Sequence, residues 1–271
     1  MVGRHGPRRG PDCPNRVRSA GETSFAIAVH KSNRLQAMNP PLPQQPQAVL
    51  FDAYGTLFDV YSIRALAEQT FPGFGERLSL LWRDKQIEYS RLRSMSGHYR
   101  PFWEITRDAL RFSASGLGLA LGTGSEERLM AQYRHLEPFA ENRDVLASLA
   151  RRGVRAGILS NGDPDMLESA VAHAGFAAWL NPVLSVQATG RFKTDPATYA
   201  LGPAALGLAA ADILFVSSNG WDAIGATWFG YTTLWVNRAG LPLEQLGTNP
   251  ARIGTSLRDV LEFFPVIEEA S

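Results

Sequence analysis

Asp52 follows a run of apolar residues, a position where a carboxylate is costly to bury unless another group pairs with it. Polar residues follow other apolar runs farther along the chain. A buried carboxylate with a cation and with hydroxyl or amide partners can serve as a nucleophile. Each residue alone also has an ordinary interpretation, because Ser, Asn and Asp often cap helices and a single Lys is usually solvated. The candidate set is Asp52, Thr56, Ser160, Asn161, Lys193, Ser217, Asn219 and Asp222.

The pattern of apolar residues predicts a parallel sheet that would gather these residues at one edge. After residue 138 helical and strand patterns alternate, which is typical of right-handed βαβ units with helices on both faces of the sheet. Sites in such sheets lie beyond the carboxyl ends of the strands. The predicted strands are Ala48 to Tyr54, Val154 to Leu159, Val183 to Val186, Ile213 to Ser217 and Thr232 to Val236. The predicted helices are Asn142 to Arg152, Pro164 to Gly175, Pro196 to Gly207, Trp221 to Phe229 and Ser256 to Phe264.

Residues 61–138 show only helical periodicity, interrupted by Gly and Pro. We predict about four helices there, inserted between the first strand and the alternating region. The strands before and after the insertion would then form one sheet.

The overall composition excludes several classes of protein. A net charge of +1 gives no basic field for nucleic acid, and one cysteine excludes a disulfide framework and Cys-rich zinc sites. The sequence has no run of 18 apolar residues, so we predict no membrane-spanning helix. Residues 1–37 hold seven Lys or Arg but two Asp or Glu, without helical or strand periodicity. We interpret residues 1–47 as a disordered extension, with Met38 as an alternative start and a transit peptide as a weaker alternative.

Four ordered motifs resemble those of the haloacid dehalogenase (HAD) superfamily, and the resemblance is closer still to its L-2-haloacid dehalogenases. The motifs are Asp52-x-Tyr-Gly-Thr-Leu, Ser160-Asn161, Lys193 and Ser217-x-Asn219-x-x-Asp222. The segments with the closest likeness are Phe51–Val60, Leu81–Tyr89, Ile158–Gly162 and Ser218–Asp222. The resemblance covers about residues 48–264. It implies an α/β fold with a Rossmann-like core, residues 48–60 and 139–271, and an inserted helical cap, residues 61–138.

Within that superfamily the residues favour a dehalogenase over a phosphatase. HAD phosphatases carry a second aspartate two residues after the nucleophile, which protonates the leaving alcohol, and Tyr54 stands at this position. A halide leaving group needs no proton. The phosphatases also bind Mg²⁺ through several carboxylates. In the fourth motif of this chain only one carboxylate is present, that of Asp222. We therefore expect a site without metal or other cofactor.

The resemblance implies hydrolysis of short-chain (S)-2-haloacids to (R)-2-hydroxyacids and halide. Asp52 would displace the halogen in line, and water would then hydrolyse the resulting ester at the Asp52 carbonyl. Lys193 would pair with Asp52. Thr56, Ser217 and Asn219 would orient the carboxylate and the water. Asp222 would position Lys193 and the water, and Tyr199 would orient neighbouring polar groups.

The resemblance also implies three groups of substrate-binding residues. Ser160 Oγ and the backbone N–H groups of Tyr54 and Asn161 would bind the substrate carboxylate, since N–H groups at such turns form an anion nest. Arg83 with Asn219 would bind the halide, because Arg stays charged and is weakly hydrated. Without the family match, Arg83 would be interpreted as an exposed helix residue. The alkyl pocket would be lined by Tyr54, Ile87, Phe102 and Trp221, each of which alone is typical of a core.

Two cap residues depart from the family pattern. Asp84 stands where an uncharged polar residue is expected, and it would weaken halide binding if it paired with Arg83. Arg91 stands where an aromatic residue is common. The alternatives are a phosphatase with an unusual acid, a fluoroacetate-active dehalogenase, and a non-catalytic relative. We expect a cytoplasmic homodimer whose partners are the haloacid and the halide.

Overall fold

The computed structural model describes Gly3 and residues 44–265 of the chain. The chain divides into two units, Met1–Ala37 and Met38–Ser271, and all elements below belong to the second. Most of the predicted extension, residues 1–47, lies outside the described residues. The extension and the domain boundaries therefore stay predictions.

Six parallel strands form one sheet in the order β3-β2-β1-β4-β5-β6. They are β1 (Ala48–Phe51), β2 (Arg155–Ser160), β3 (Val183–Ser185), β4 (Ile213–Ser217), β5 (Thr232–Val236) and β6 (Arg252–Gly254). The chain adds strands first on one side of β1 and then on the other. The strand order therefore reverses between β1 and β4, which leaves a crevice beyond their carboxyl ends. Phe51 at the end of β1 pairs with Ile158 and Val216.

Nine α-helices pack on the sheet or form the insertion within residues 44–265. They are α1 (Arg64–Thr70), α2 (Gly75–Ser96), α3 (Phe102–Gly116), α4 (Thr123–Tyr133), α5 (Asn142–Arg151), α6 (Pro164–Ala174), α7 (Pro196–Tyr199), α8 (Leu201–Leu206) and α9 (Gly220–Phe229). The first four form the helical insertion after β1. None of these nine helices is long and apolar enough to cross a bilayer. The predicted fold class, an α/β core with an inserted helical cap, is confirmed.

Burial explains the central strand and the packing of the cap. All four residues of β1 are fully buried, as a strand covered on both faces requires. In the insertion, Trp82 of α2 is buried, and its Nε1 donates to the Thr106 carbonyl of α3 at 2.7 Å. Because this bond fixes α2 against α3, the face of α2 that points at the sheet is set by packing within the insertion.

The predicted helix from Pro196 to Gly207 is two short helices. Pro203 has no N–H with which to continue the helix to the Tyr199 carbonyl. The Tyr231 hydroxyl donates to that carbonyl instead, at 2.6 Å. The break therefore follows from proline chemistry and a partner on another element.

Three other predicted elements need correction, and a sixth strand was missed. The strand predicted for Ala48 to Tyr54 ends at Phe51. The strand predicted to reach Val186 ends at Ser185, and Val186 begins a 3₁₀ turn. Strand β6 was not predicted, because Ile253 is the one apolar residue in Arg252–Gly254 and gives no strand pattern. The last helix, predicted for Ser256 to Phe264, is a 3₁₀ helix over Leu257–Phe263 that Ser256 caps.

Candidate active site

The carboxyl ends of β1, β2 and β4 and the cap helix α2 line a cavity. Its lining residues are Asp52, Tyr54, Arg83, Ile87, Ser90, Arg91, Phe102, Ser160, Asn161, Lys193, Asn219 and Trp221. Ser90 and Arg91 are the members to which the sequence predicted no role. The predicted site residues outside the lining are Thr56, Tyr199, Ser217 and Asp222. Thr56, Ser217 and Asp222 bond to members of the lining, and Tyr199 bonds to Asp222.

Asp52 is held by three donors immediately after β1. Its backbone N–H donates to the Val216 carbonyl at 2.9 Å, which ties it to β4. Oδ2 accepts from Thr56 Oγ1 at 3.1 Å and from Asn219 Nδ2 at 2.9 Å. Oδ1 accepts from Lys193 Nζ at 3.1 Å. With an exposed fraction of 6%, the carboxylate is fixed in orientation and nearly removed from solvent.

The turn after Asp52 depends on a glycine and a hydroxyl relay. Gly55 has φ of 92°, a region that favours glycine, and its N–H donates to the Phe58 carbonyl. Thr56 Oγ1 accepts from the Ser218 N–H at 2.8 Å. The Thr56 hydroxyl hydrogen is therefore directed at Asp52.

The contact of Ser217 differs from the predicted one. Its Oγ accepts from the Asn219 N–H at 3.1 Å, and no hydrogen bond joins it to Asp52. Ser217 is the last residue of β4, so its hydroxyl supports the first residues of the turn into α9. Its link to the carboxylate is indirect, through Asn219.

Lys193 bridges two carboxylates in the interior. Its Nζ lies 3.1 Å from Asp52 Oδ1 and 3.0 Å from Asp222 Oδ2, and the side chain of Lys193 is fully buried. Asp222 Oδ1 accepts from the Tyr199 hydroxyl at 2.7 Å. Burial raises the pKa of Asp222, and the charge of Lys193 opposes that rise. Burial also raises the pKa of Tyr199 well above its ordinary value, so its hydroxyl acts as a donor to Asp222.

Lys193 Nζ is the cation between the two carboxylates. Lys193 Nζ occupies the position that an ion joining Asp52 and Asp222 would take. Among residues 44–265, no group of three or more His, Cys, Asp or Glu is placed to hold a metal. The residues present do not fit Mg²⁺, which requires several oxygen ligands.

Arg83 reaches the cavity from α2. Its guanidinium donates to Gln86 Oε1 at 2.8 Å, to the Tyr54 carbonyl at 3.1 Å and to Asn219 Oδ1 at 3.2 Å. Gln86 is fully buried and also donates to Thr106 Oγ1 at 2.6 Å. Gln86 was not among the predicted site residues, although its spacing of three residues from Arg83 places both on one helix face.

The end of β2 lies beside Lys193 in the same cavity. Ser160 Oγ accepts from the Gly162 N–H at 3.2 Å, which leaves the hydroxyl hydrogen free to be donated. Asn161 Oδ1 accepts from the Lys193 N–H at 3.0 Å and so fixes the lysine loop. The N–H groups of Tyr54 and Asn161 stay predicted carboxylate donors.

Asp163 joins the core to the cap in a way that the sequence did not indicate. It precedes α6 but makes no capping bond to that helix. Its two oxygens accept instead from the N–H groups of Phe102 at 2.9 Å and Trp103 at 2.8 Å, the first residues of α3. These two hydrogen bonds hold the Phe102 end of α3 over the cavity. In sequence Asp163 looks like the N-cap of its own helix, and that pattern hid its contact with α3.

The two departures on α2 have different surroundings. Asp84 is exposed and forms no ion pair with Arg83, so the predicted weakening of a halide site does not arise from direct pairing. The Arg91 guanidinium lies over the Trp221 ring, 4.8 Å from its centroid. Ile87 and Phe102 complete the apolar part of the lining together with Tyr54, which packs against Phe102.

Known proteins resemble this chain over most of its length. A haloacid dehalogenase-like hydrolase family model matches residues 46–230. An (S)-2-haloacid dehalogenase of Pseudomonas sp. strain YL is 45% identical over 80% of this chain and 94% of its own length. A crystal structure of an L-2-haloacid dehalogenase is 56% identical, with a TM-score of 0.80, over 82% of this chain and 99% of that one.

A second solved structure contains a covalently bound haloacid-derived group. It is an L-2-haloacid dehalogenase of Xanthobacter autotrophicus with chloropropionic acid covalently bound. It is 37% identical with a TM-score of 0.75, over 80% of this chain and 97% of that one. Fold, motifs and these relatives agree, and the chain belongs to the L-2-haloacid dehalogenase, or (S)-2-haloacid dehalogenase, family of the HAD-like hydrolases.

Proposed function

We propose that this protein hydrolyses short-chain (S)-2-haloacids to (R)-2-hydroxyacids and halide through an ester of Asp52. The observation that carries the proposal is the buried Asp52 carboxylate, paired with Lys193 in a cavity that Arg83 closes from the cap. Tyr54 replaces the second acid that an alcohol leaving group requires. The relative with covalently bound chloropropionic acid supports an ester intermediate.

In the first step, an Asp52 oxygen attacks C2 of the haloacid from the side opposite the halogen. A C–O bond forms, the C–halogen bond breaks, and the halide leaves with its electron pair, which inverts the carbon. Ser160 would donate to the substrate carboxylate while Arg83 receives the halide. Both Asn219 Nδ2 hydrogen bonds go to Asp52 and the Tyr54 carbonyl, so a halide contact by Asn219 requires one of them to open.

In the second step, water adds to the carbonyl carbon of the Asp52 ester. The negative charge that develops on the carboxyl oxygens lies close to the donors Lys193, Thr56 and Asn219, which are already in place. The intermediate collapses, the hydroxyacid oxygen takes up one proton of the water, the other proton is released to solvent, and the Asp52 carboxylate is regenerated. Asp222 and Tyr199 would act by holding Lys193.

Assay of two substrate classes tests this function. We expect halide release from chloroacetate and (S)-2-chloropropionate to be unchanged by EDTA, because Lys193 occupies the position of a bridging cation. We expect no hydrolysis of p-nitrophenyl phosphate with added Mg²⁺. Strict dependence of halide release on Mg²⁺ would contradict the metal-free site, and phosphate release alone would favour the phosphatase alternative.

We also infer a cytoplasmic homodimer. Large apolar side chains exposed on the cap, Leu92 and Met95 of α2 and Phe112 of α3, support a subunit contact there. Light scattering during gel filtration measures the mass, and a monomer at micromolar concentration would contradict the dimer.

A further inference from the structure

One face of α2 presents a row of three side chains to the cavity, Arg83, Ile87 and Arg91. They are four residues apart, so they share a helix face, and each step advances about 6 Å along the axis at 1.5 Å per residue. Arg83 and Arg91 therefore stand at opposite ends of the row, with the apolar Ile87 between them.

The two arginines differ in their partners. Arg83 donates to three acceptors. Arg91 has neither a hydrogen bond nor an ion pair within the described part of the chain, and its guanidinium contacts the Trp221 ring. An arginine stacked on an aromatic ring keeps its planar N–H donors free at the edge. Arg91 thus brings an unpaired charge to the cavity that contains Asp52.

The surroundings of Arg91 favour an anion. Arg91 is an exposed residue of the lining, but partial burial of its guanidinium lowers its pKa; the charge of Arg83 adds to that effect, and Glu244 opposes it. Glu244 is not within 4.0 Å of the guanidinium, since no ion pair joins them among residues 44–265. A carboxylate placed against Arg91 would therefore stabilise its charged form and satisfy its donors.

We propose that Arg91 forms a subsite for a second carboxylate, so that the cavity accepts (S)-2-halodicarboxylic acids such as (S)-2-chlorosuccinate. This inference rests on the proposed function. With the first carboxylate at Ser160 and the halogen at Arg83, the remaining substituent of C2 extends past Ile87. Its terminal carboxylate then meets the Arg91 guanidinium. The reaction is the same displacement by Asp52, and the product is an (R)-2-hydroxydicarboxylic acid.

Two substrates of similar size separate this subsite from general catalysis. (S)-2-chlorosuccinate and (S)-2-chlorobutyrate share the configuration at C2 and differ in the terminal group, a carboxylate or a methyl. Halide release gives kcat/KM for each with the wild type, Arg91→Met and Arg91→Lys. Arg77→Met is the control for charge removal, because Arg77 is exposed on the same helix and lies outside the cavity.

We expect the wild type to turn over both substrates. Arg91→Met should lower kcat/KM for chlorosuccinate on the order of 30-fold, the range of a lost charged hydrogen bond, and that for chlorobutyrate less than about threefold. Arg91→Lys should retain part of the preference, and Arg77→Met all of it. The chlorobutyrate rate shows that each variant is folded.

Three outcomes would contradict the subsite. The wild type could release halide from chlorobutyrate but not from chlorosuccinate. Arg91→Met could slow both substrates equally, which would indicate attraction of any anion. Arg77→Met could reproduce the effect of Arg91→Met. Absence of halide release from every haloacid would instead overturn the proposed function, and the subsite with it.

Discussion

Replacing Asp52 with Asn should reduce halide release from (S)-2-chloropropionate by at least about 10⁴-fold, the order of loss found when an enzyme's nucleophile is removed. The amide has nearly the volume of the carboxylate but lacks its negative charge and nucleophilicity. The donors around it, Thr56, Asn219 and Lys193, would remain. Initial-rate measurements of chloride release test this expectation.

Asp84→Asn is the matched control. Asp84 is an exposed carboxylate on α2 without a bond to Arg83, so the same chemical change there should leave the rate within about twofold. Thermal unfolding shows whether each variant is folded. A folded Asp52→Asn protein with wild-type turnover would exclude Asp52 as the essential carboxylate.

Loss of activity alone does not separate a nucleophile from a general base, since both need Asp52. A single turnover in H₂¹⁸O with excess enzyme does. In the ester mechanism the product oxygen comes from Asp52, so the hydroxyacid is unlabelled and the peptide containing Asp52 gains ¹⁸O. A positioned carboxylate can reach an effective molarity on the order of 10⁵ M, which favours this route. Label in the first product would instead mean direct attack by water.

Replacing Lys193 with Met should lower both turnover and stability. The variant leaves Asp52 and Asp222 buried without the cation that each contacts within 3.1 Å. Removal of one partner from a buried ion pair costs about 3–5 kcal/mol of unfolding free energy. Loss of a preorganised donor to the Asp52 oxygens should lower kcat about 10²–10³-fold. Chemical denaturation and halide release measure the two effects.

The stability loss should also depend on pH in a defined direction. Burial raises the pKa of Asp222 above its unfolded value of about 3.9, so the folded state binds the proton more tightly. Such a group gives its full stability below the unfolded pKa, and that stability falls as pH rises through the folded pKa. Because Met removes the opposing charge of Lys193, the decline should extend to higher pH. Melting temperatures at pH 5 and pH 8 should therefore differ more in the variant than in the wild type.

Lys85→Met provides the control for these measurements. Lys85 lies on α2 outside the cavity and pairs with Glu88 near the surface. Its loss should change stability by less than about 1 kcal/mol. A Lys193→Met protein with the stability and pH profile of Lys85→Met would show that the two buried carboxylates do not depend on the lysine.

The sequence alone determined most of the elements and the polar residues at the strand ends. The apolar run of β1 is long enough only for a buried strand, and the alternation after residue 138 requires parallel strands. Because the carboxyl ends of parallel strands share one edge, Asp52, Ser160 and Asn219 were expected to meet there, and they do. These inferences succeed because they depend on local periodicity and on one topological rule.

Tertiary structure decided which cap residues face that edge. Arg83 bonds to the Tyr54 carbonyl and to Asn219, yet its place in α2 is equally compatible with an exposed residue. Helix periodicity defines faces but does not say which face meets the sheet. Packing of α2 against α3 makes that choice and also places Gln86 behind Arg83 and Asp84 in solvent.

Side-chain hydrogen bonds between residues far apart along the chain also could not be predicted from the sequence. Asp163 has the position of a cap for α6 but caps α3 instead, and Tyr231 takes the carbonyl that Pro203 leaves unpaired. A hydrogen-bonding group takes the partner that folding brings within about 3 Å, whatever the distance along the chain. The sequence determined which groups need partners, whereas the packing of cap on core determined which partners they have.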